Sequence, residues 1–196
     1  MEKLNDDYWS ERYAANQTGW DLSAVSPPLK EYIDQLQDKS LRILIPGCGN
    51  AYEAEYLLSK NFDNINLIDI SEVLVNNIKS KYSEYIENSK LNVLHDDFFK
   101  HNGEYDLILE QTFFCALNPS LRKDHAKKMS ELLAPNGRLV GVMFNREFIG
   151  GPPFGGSSIE YRTYFEPYFE FDTFEPCYNS IPPRQGVELF INLRKV

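Results

Sequence analysis

The run Leu41-Arg42-Ile43-Leu44-Ile45, followed by Pro46-Gly47-Cys48-Gly49 and then by Ala51–Lys60, constrains this chain more than any other stretch. A short run rich in branched aliphatics, bounded by turn residues, reads as a buried strand. The glycines allow a tight turn, and Ala54, Leu57 and Leu58 then recur at helical spacing on one apolar face. Strand, glycine turn and helix open a parallel α/β unit, and such a strand needs helices on both of its faces.

The rest of the chain supplies them. Further strands are expected at Ile65–Ile70, Leu91–His95, Tyr105–Glu110 and Arg138–Phe144. Ser71 caps a helix running to about Glu87, with Glu72 in its first turn. Asn118-Pro119 opens another that continues to Leu133 and stops before Pro135-Asn136-Gly137. The first 40 residues carry helices around Leu4–Ala14 and from Pro27 to Leu36, the second N-capped by Ser26. Between them lies the polar loop Gln17-Thr18-Gly19-Trp20-Asp21. The Gly/Pro-rich stretch 150–156 reads as a surface loop near the site. A helix near Ser158–Pro167 and strands near Phe169–Phe174 and Val187–Leu193 close the pattern, the two strands as an antiparallel edge pair. The expected fold is α/β: a mostly parallel sheet with helices on both faces, forming one domain over residues 1–196.

Composition narrows the partners. The formal net charge of −9 disfavours a phosphate backbone, and no dense Lys/Arg cluster offsets it, so nucleic acid is not an expected partner. Cys48, Cys115 and Cys177 show no metal-type spacing and no disulfide framework. The polar, acidic start is unlike a signal peptide, and no apolar run reaches the roughly 18–20 residues that span a bilayer, so a cytoplasmic protein without a membrane partner is expected.

In an open parallel sheet, ligands bind beyond the carboxyl ends of the strands. Those ends carry Pro46-Gly47-Cys48-Gly49, Asp69-Ile70-Ser71, His95-Asp96-Asp97-Phe98 and Glu110-Gln111-Thr112-Phe113. Asp69 stands at the end of the next strand after the glycine turn, where a carboxylate can accept both hydroxyls of a ribose; its alternative is a helix N-cap or a surface acid. A dinucleotide fingerprint would need glycine at 52, where this chain has Tyr52, and no P-loop pattern is present. S-adenosylmethionine, which has no phosphate, fits better. Asp97 and Phe98 suit an adenine amino group and ring face, or a capped turn with a core Phe. Glu110 suits the ammonium of the methionine part, or a solvent-facing strand end. His95, beside Asp96, is the best candidate base, but no catalytic base is assigned. Tyr161 and Tyr164 follow the 150–156 loop and either cover the acceptor or belong to the core.

Several strings together resemble one known group. Tyr8-Trp9-Ser10-Glu11-Arg12-Tyr13, Gly19-Trp20-Asp21, Pro46-Gly47-Cys48-Gly49, Asp97-Phe98-Phe99, Tyr105-Asp106-Leu107-Ile108, the run Thr112–Leu117 and Gly150-Gly151-Pro152-Pro153 resemble the thiopurine methyltransferase-like superfamily, most closely its plant-type halide/thiol methyltransferases. The resemblance implies a class I methyltransferase (Rossmann-like) fold with a seven-stranded sheet. It also implies S-adenosyl-L-methionine as donor, S-adenosyl-L-homocysteine as product and a small-molecule acceptor, a thiol, thiopurine-like compound or halide. Trp9 and Trp20 would close over the cofactor, making residues 1–40 a helical cap. Gly47, Cys48, Gly49, Asp69, Ile70, Ser71, Asp97, Phe98, Glu110 and Thr112 would line or adjoin its pocket. No metal is implied. Relatives often carry Asp where Glu110 stands and an aromatic where Gln111 stands, and Phe154 lacks the hydroxyl a Tyr would bring. A nicotinamide-dependent oxidoreductase and a non-catalytic cofactor-binding protein of the same fold are the alternatives.

Overall fold

The computed structural model describes residues 3–196. Helix α1, Asp6–Ala14, starts where the Asn5 side chain accepts from the Tyr8 N–H, with Asp6 and Asp7 favourably placed against the helix dipole. Helix α2, Pro27–Gln35, begins on two prolines whose missing N–H groups would have no helical partner anyway. Ser26 occupies the N-cap position, but its hydroxyl makes no capping bond and is buried without a partner among the described residues; its backbone N–H instead donates to Glu53 Oε1 at 3.1 Å.

Strand β1, Ile43–Pro46, is buried at every position and leads through the glycine turn into α3, Tyr52–Ser59. Then come β2, Ile65–Asp69, and α4, Glu72–Lys81, whose Ser71 cap accepts from Leu74 N–H at 3.2 Å. The helix expected to run on to Glu87 breaks at Tyr82, which leaves helical geometry, and α5, Ser83–Glu87, follows as a separate turn. The buried Tyr82 ring, its hydroxyl donating to Glu55 Oε2, holds the break in place. Strands β3, Leu91–His95, and β4, Tyr105–Gln111, precede a four-residue helix the sequence reading missed, α6, Phe113–Ala116. The helix expected from Asn118 begins as a 3-10 turn, Pro119–Leu121, and becomes α7 over Arg122–Leu132. Strand β5, Leu133–Phe144, starts earlier than expected because Leu133 already pairs with Tyr105. The Pro135–Gly137 segment, with Asn136 at φ 62°, is absorbed as an irregularity in the pairing. Helix α8, Ser158–Phe165, then β6, Phe169–Pro176, and β7, Glu188–Lys195, complete the chain.

The seven strands lie in the order β3-β2-β1-β4-β5-β7-β6. The first five are parallel, and β7 is antiparallel to both β5 and β6. One apolar layer joins α2, α3 and α4 to the sheet through Leu29, Ile33, Leu57, Leu74 and Ile78. The other joins α7 and α8 through Ala126, Met129, Tyr161 and Phe165. Strand order reverses between β1 and β4, so their carboxyl ends open a crevice. No helix among the described residues is long and apolar enough to cross a membrane.

Candidate functional site

A cavity of about 660 Å³ occupies that crevice. Ten of the residues anticipated from sequence lie on its wall: Trp9, Trp20, Gly47, Cys48, Gly49, Asp69, Ile70, Asp97, Phe98 and Thr112. Two do not. Ser71 is fully buried, caps α4 and meets Ser10 Oγ at 2.9 Å, so it ties α1 to α4. Glu110 is also fully buried, and its Oε1 accepts the Phe114 N–H at 2.9 Å at the start of α6. The polypeptide encloses it, so it is not a solvent-facing strand end; it does not line the cavity, and its Oε2 has no hydrogen-bond partner among the described residues. Burial pushes its carboxyl up to about 8.

The β1 turn owes its glycines to backbone geometry and to a neighbour. Gly47 and Gly49 both take positive φ, 56° and 52°. A Cβ on Gly47 would stand 2.2 Å from the Phe113 ring. Phe113 reaches that spot because Thr112, at φ 57°, turns the chain sharply at the end of β4. A β-branched residue rarely adopts that conformation, and here the Thr112 N–H is held by Val142 O at 3.0 Å. The acid at the end of β2 is nearly enclosed. Asp69 Oδ1 accepts from Ser71 N–H at 2.9 Å, and burial outweighs the backbone donors to lift its pKa to about 6. Burial and the Asp69 charge push the Cys48 thiol well up, so it is not a reactive thiolate.

The N-terminal segment forms an aromatic wall over this turn. Trp20 packs edge-on against Trp9 at 5.5 Å and against Tyr13 at 5.9 Å. Polar contacts fasten it at three places. Asp6 accepts from Ser10 Oγ and Glu72 N–H and lies 3.1 Å from His95 Nε2. Asp21 accepts from Asn50 Nδ2 and from the Tyr52 hydroxyl. Arg184 donates to Trp20 O at 2.7 Å while pairing with Glu188. Sequence reading found the tryptophans but missed Tyr13, Asp21 and Asn50; only the proximity of Trp20 and Asp21 in sequence hinted at the latch.

The β4 side is different in kind. Phe113, Leu117, Phe144, Pro152 and Pro153 line it, the prolines from the glycine-rich 150–156 loop. That loop is held by Arg122, a guanidinium with only 2% of its side-chain surface exposed. It donates to Gly155 O at 2.7 Å and to Glu160 Oε1 at 2.8 Å, and stacks over Phe114 and Tyr161. Tyr161 belongs to the core, its hydroxyl donating to Phe144 O at 2.9 Å, and Tyr164 donates to Glu160. Arg122→Lys keeps the charge but loses the fork that reaches loop and helix together. It is expected to weaken binding of a molecule on this side about tenfold while a ligand at the β1–β2 side binds unchanged. Calorimetric titration of each side's ligand checks this.

Charge separates the possible ligands. The wall carries the acids Asp21, Glu53, Asp69, Asp96 and Asp97 against Lys3 and Lys100. Glu53 and Glu55 stand in the first turn of α3, where a pyrophosphate would need bare N–H groups and no anion. A cationic or neutral nucleoside-like ligand therefore suits the β1–β3 side, and a dinucleotide does not. No histidine lines the cavity among the described residues. His95 is engaged by Asp6 and by Ile70 O, His101 meets the Tyr105 hydroxyl, and His125 lies buried among Phe98, Phe113, Phe114 and Phe165, its pKa lowered to about 3. Among the described residues, no group of three or more His, Cys, Asp or Glu side chains could hold a metal ion.

Comparison with known proteins places this geometry. The profile of the family described as thiopurine S-methyltransferase matches residues 4–188. A probable thiol methyltransferase 2 of Arabidopsis thaliana is 33% identical, over 96% of this chain and 84% of the relative. Thiocyanate methyltransferase 1 of Brassica oleracea is 28% identical, over 100% of this chain and 88% of the relative. Among solved structures, a Burkholderia thailandensis 1,6-didemethyltoxoflavin-N1-methyltransferase with bound S-adenosylhomocysteine superposes with a TM-score of 0.76 at 14% identity, covering 97% of this chain and 87% of its own.

Proposed function

Because this chain belongs to the thiopurine S-methyltransferase family, and so is an S-adenosylmethionine-dependent methyltransferase of small molecules, we propose that its acceptor is a soft nucleophile that reacts as an anion: a thiolate, a thiopurine-like thiolate, a halide or a pseudohalide. The β4 side of the cavity, mostly apolar, with neutral polar groups at Gln111, Thr112 and Asn118 and no histidine among the described lining residues, carries this reading. An alcohol or amine would need a base there. A thiol with a pKa near 8.5 already gives a few per cent thiolate at neutral pH, and a halide needs no base at all.

The residues present fit the donor. Asp69 offers a buried carboxylate to the ribose hydroxyls, and Gly47–Gly49 bring backbone close to the methionine part. Asp97 and Phe98 suit the adenine. Trp9, Tyr13 and Trp20 cover the site from outside, and the acids around it favour a ligand carrying sulfonium and ammonium charges. When bound, S-adenosylmethionine supplies a methyl group already joined to a positively charged sulfur, an electrophile that needs no further activation. The protein's part is then to orient the acceptor against that carbon and keep water out, work suited to Phe113, Leu117, Phe144 and the prolines. The thiol proton leaves to solvent before the anion enters.

The test is turnover of labelled donor against a panel of thiols, iodide, thiocyanate and thiopurines beside alcohols and amines. Labelled product is expected from the sulfur and halide group. Labelled product from alcohols or amines alone would overturn the acceptor class.

A further inference from the structure

Gln111 closes β4 at the crevice and lines the cavity beside Phe113, Leu117, Phe144, Pro152 and Pro153. Its Oε1 is enclosed by protein with no hydrogen-bond partner among the described residues. With the oxygen enclosed, the polar end of this side chain that can face the cavity is the amide nitrogen. Two of the polar groups nearby are engaged elsewhere: the Thr112 N–H donates to Val142 O, and Asn118 Oδ1 accepts from the Ser120 N–H and hydroxyl.

An anion that enters an apolar pocket loses its water, and the surrounding rings and prolines return no hydrogen bond. A neutral amide suits that need. Its N–H groups point donors at the anion yet add no positive charge to oppose the sulfonium it must approach. A lysine in this place would repel the donor, and a carboxylate would repel the acceptor.

We propose that Gln111 binds the acceptor anion through its side-chain amide N–H and so selects thiolate, thiocyanate or iodide over neutral nucleophiles. The inference rests on the anionic-acceptor reading above and assigns it to a residue. It makes Gln111 a specificity residue that touches the acceptor and leaves the donor alone.

The experiment is calorimetric. The full chain is saturated with S-adenosylhomocysteine and titrated with sodium thiocyanate and with sodium iodide. Gln111→Met, close in shape and without donors, is expected to weaken anion binding roughly tenfold or more, the scale of a hydrogen bond to a charged group. Gln111→Glu is expected to abolish it. In turnover, Q111M should raise KM for a thiol substrate while kcat stays within about threefold. S-adenosylhomocysteine affinity should not change in Q111M, which also reports that the variant is folded; Gln111→Leu replaces it if it is not. Wild-type protein that binds neither anion, yet methylates a neutral nucleophile, would overturn the acceptor-class reading. Wild-type protein that binds them as Q111M does would leave that reading standing and overturn the role given to Gln111.

Discussion

Replacing Glu110 with Gln is expected to remove a destabilising contribution that grows as pH rises from about 4.5 to about 8. Glu110 is fully buried, and desolvation raises its pKa to about 8 against an ordinary value of 4.5. Below pH 4.5 the folded and unfolded chains both hold the proton, and the group contributes nothing to the pH dependence. Between 4.5 and 8 the unfolded chain releases its proton while the folded chain keeps it, so rising pH favours unfolding. Above 8 both are ionised and the full cost is in place, about 5 kcal/mol for a shift of this size. Gln keeps an oxygen for the Phe114 N–H and carries no proton to lose. Urea denaturation at half-unit pH steps should show the wild-type curve declining relative to Glu110→Gln by up to about 1.4 kcal/mol per unit. Parallel curves would mean that Glu110 titrates normally and that water reaches it.

Asp69→Ala should cost at least about tenfold in S-adenosylhomocysteine affinity, since hydrogen bonds from ribose hydroxyls to a carboxylate are worth roughly 1.5–3 kcal/mol. The pH dependence is the sharper readout. With its pKa pushed up to about 6, Asp69 is protonated in the ligand-free protein below that value and ionised above it. A proton then competes with the ribose, so affinity should weaken toward tenfold per unit as pH falls from 6 to 5. In Asp69→Ala the affinity should be flat over the same range. Calorimetric titrations at pH 5, 6 and 7 decide the matter; a wild-type affinity independent of pH would place Asp69 outside the ligand's contacts.

Much of this fold is legible in short-range pattern. The β1 run, the glycine turn and the Ala54/Leu57/Leu58 stripe specify strand, turn and helix locally, and all three formed where expected. Most misses depend on a partner far away in sequence, the Glu110–Phe114 contact over four residues being the exception. Helix α6 exists because Glu110 caps it from inside the sheet and Thr112 is held in a left-handed turn by Val142. Strand β5 begins at Leu133 because Tyr105 pairs with it there, despite a proline two residues on. Glu110 reads from sequence as an acid at a strand end; that it is buried and accepts from the Phe114 N–H depends on α6 packing over it. Gly47, Asp69, Asp97 and Phe98 were easier because they sit at or just beyond the ends of locally specified strands, whereas Trp9 and Trp20 came only through the resemblance.

The position of β7 has a consequence for how the molecule is made. The last strand in sequence is inserted between β5 and β6, neither of which touches the other, so the sheet stays open on that side until β7 has left the ribosome. Arg184, just ahead of β7, also supplies the bond to Trp20 O. Residues made early, around α1 and Trp20, therefore wait for residues made late before their cover is fastened. A nascent chain stalled before residue 184 would carry the glycine turn and Asp69 but not the finished cover, and its unpaired β5 and β6 edges would be open to other chains.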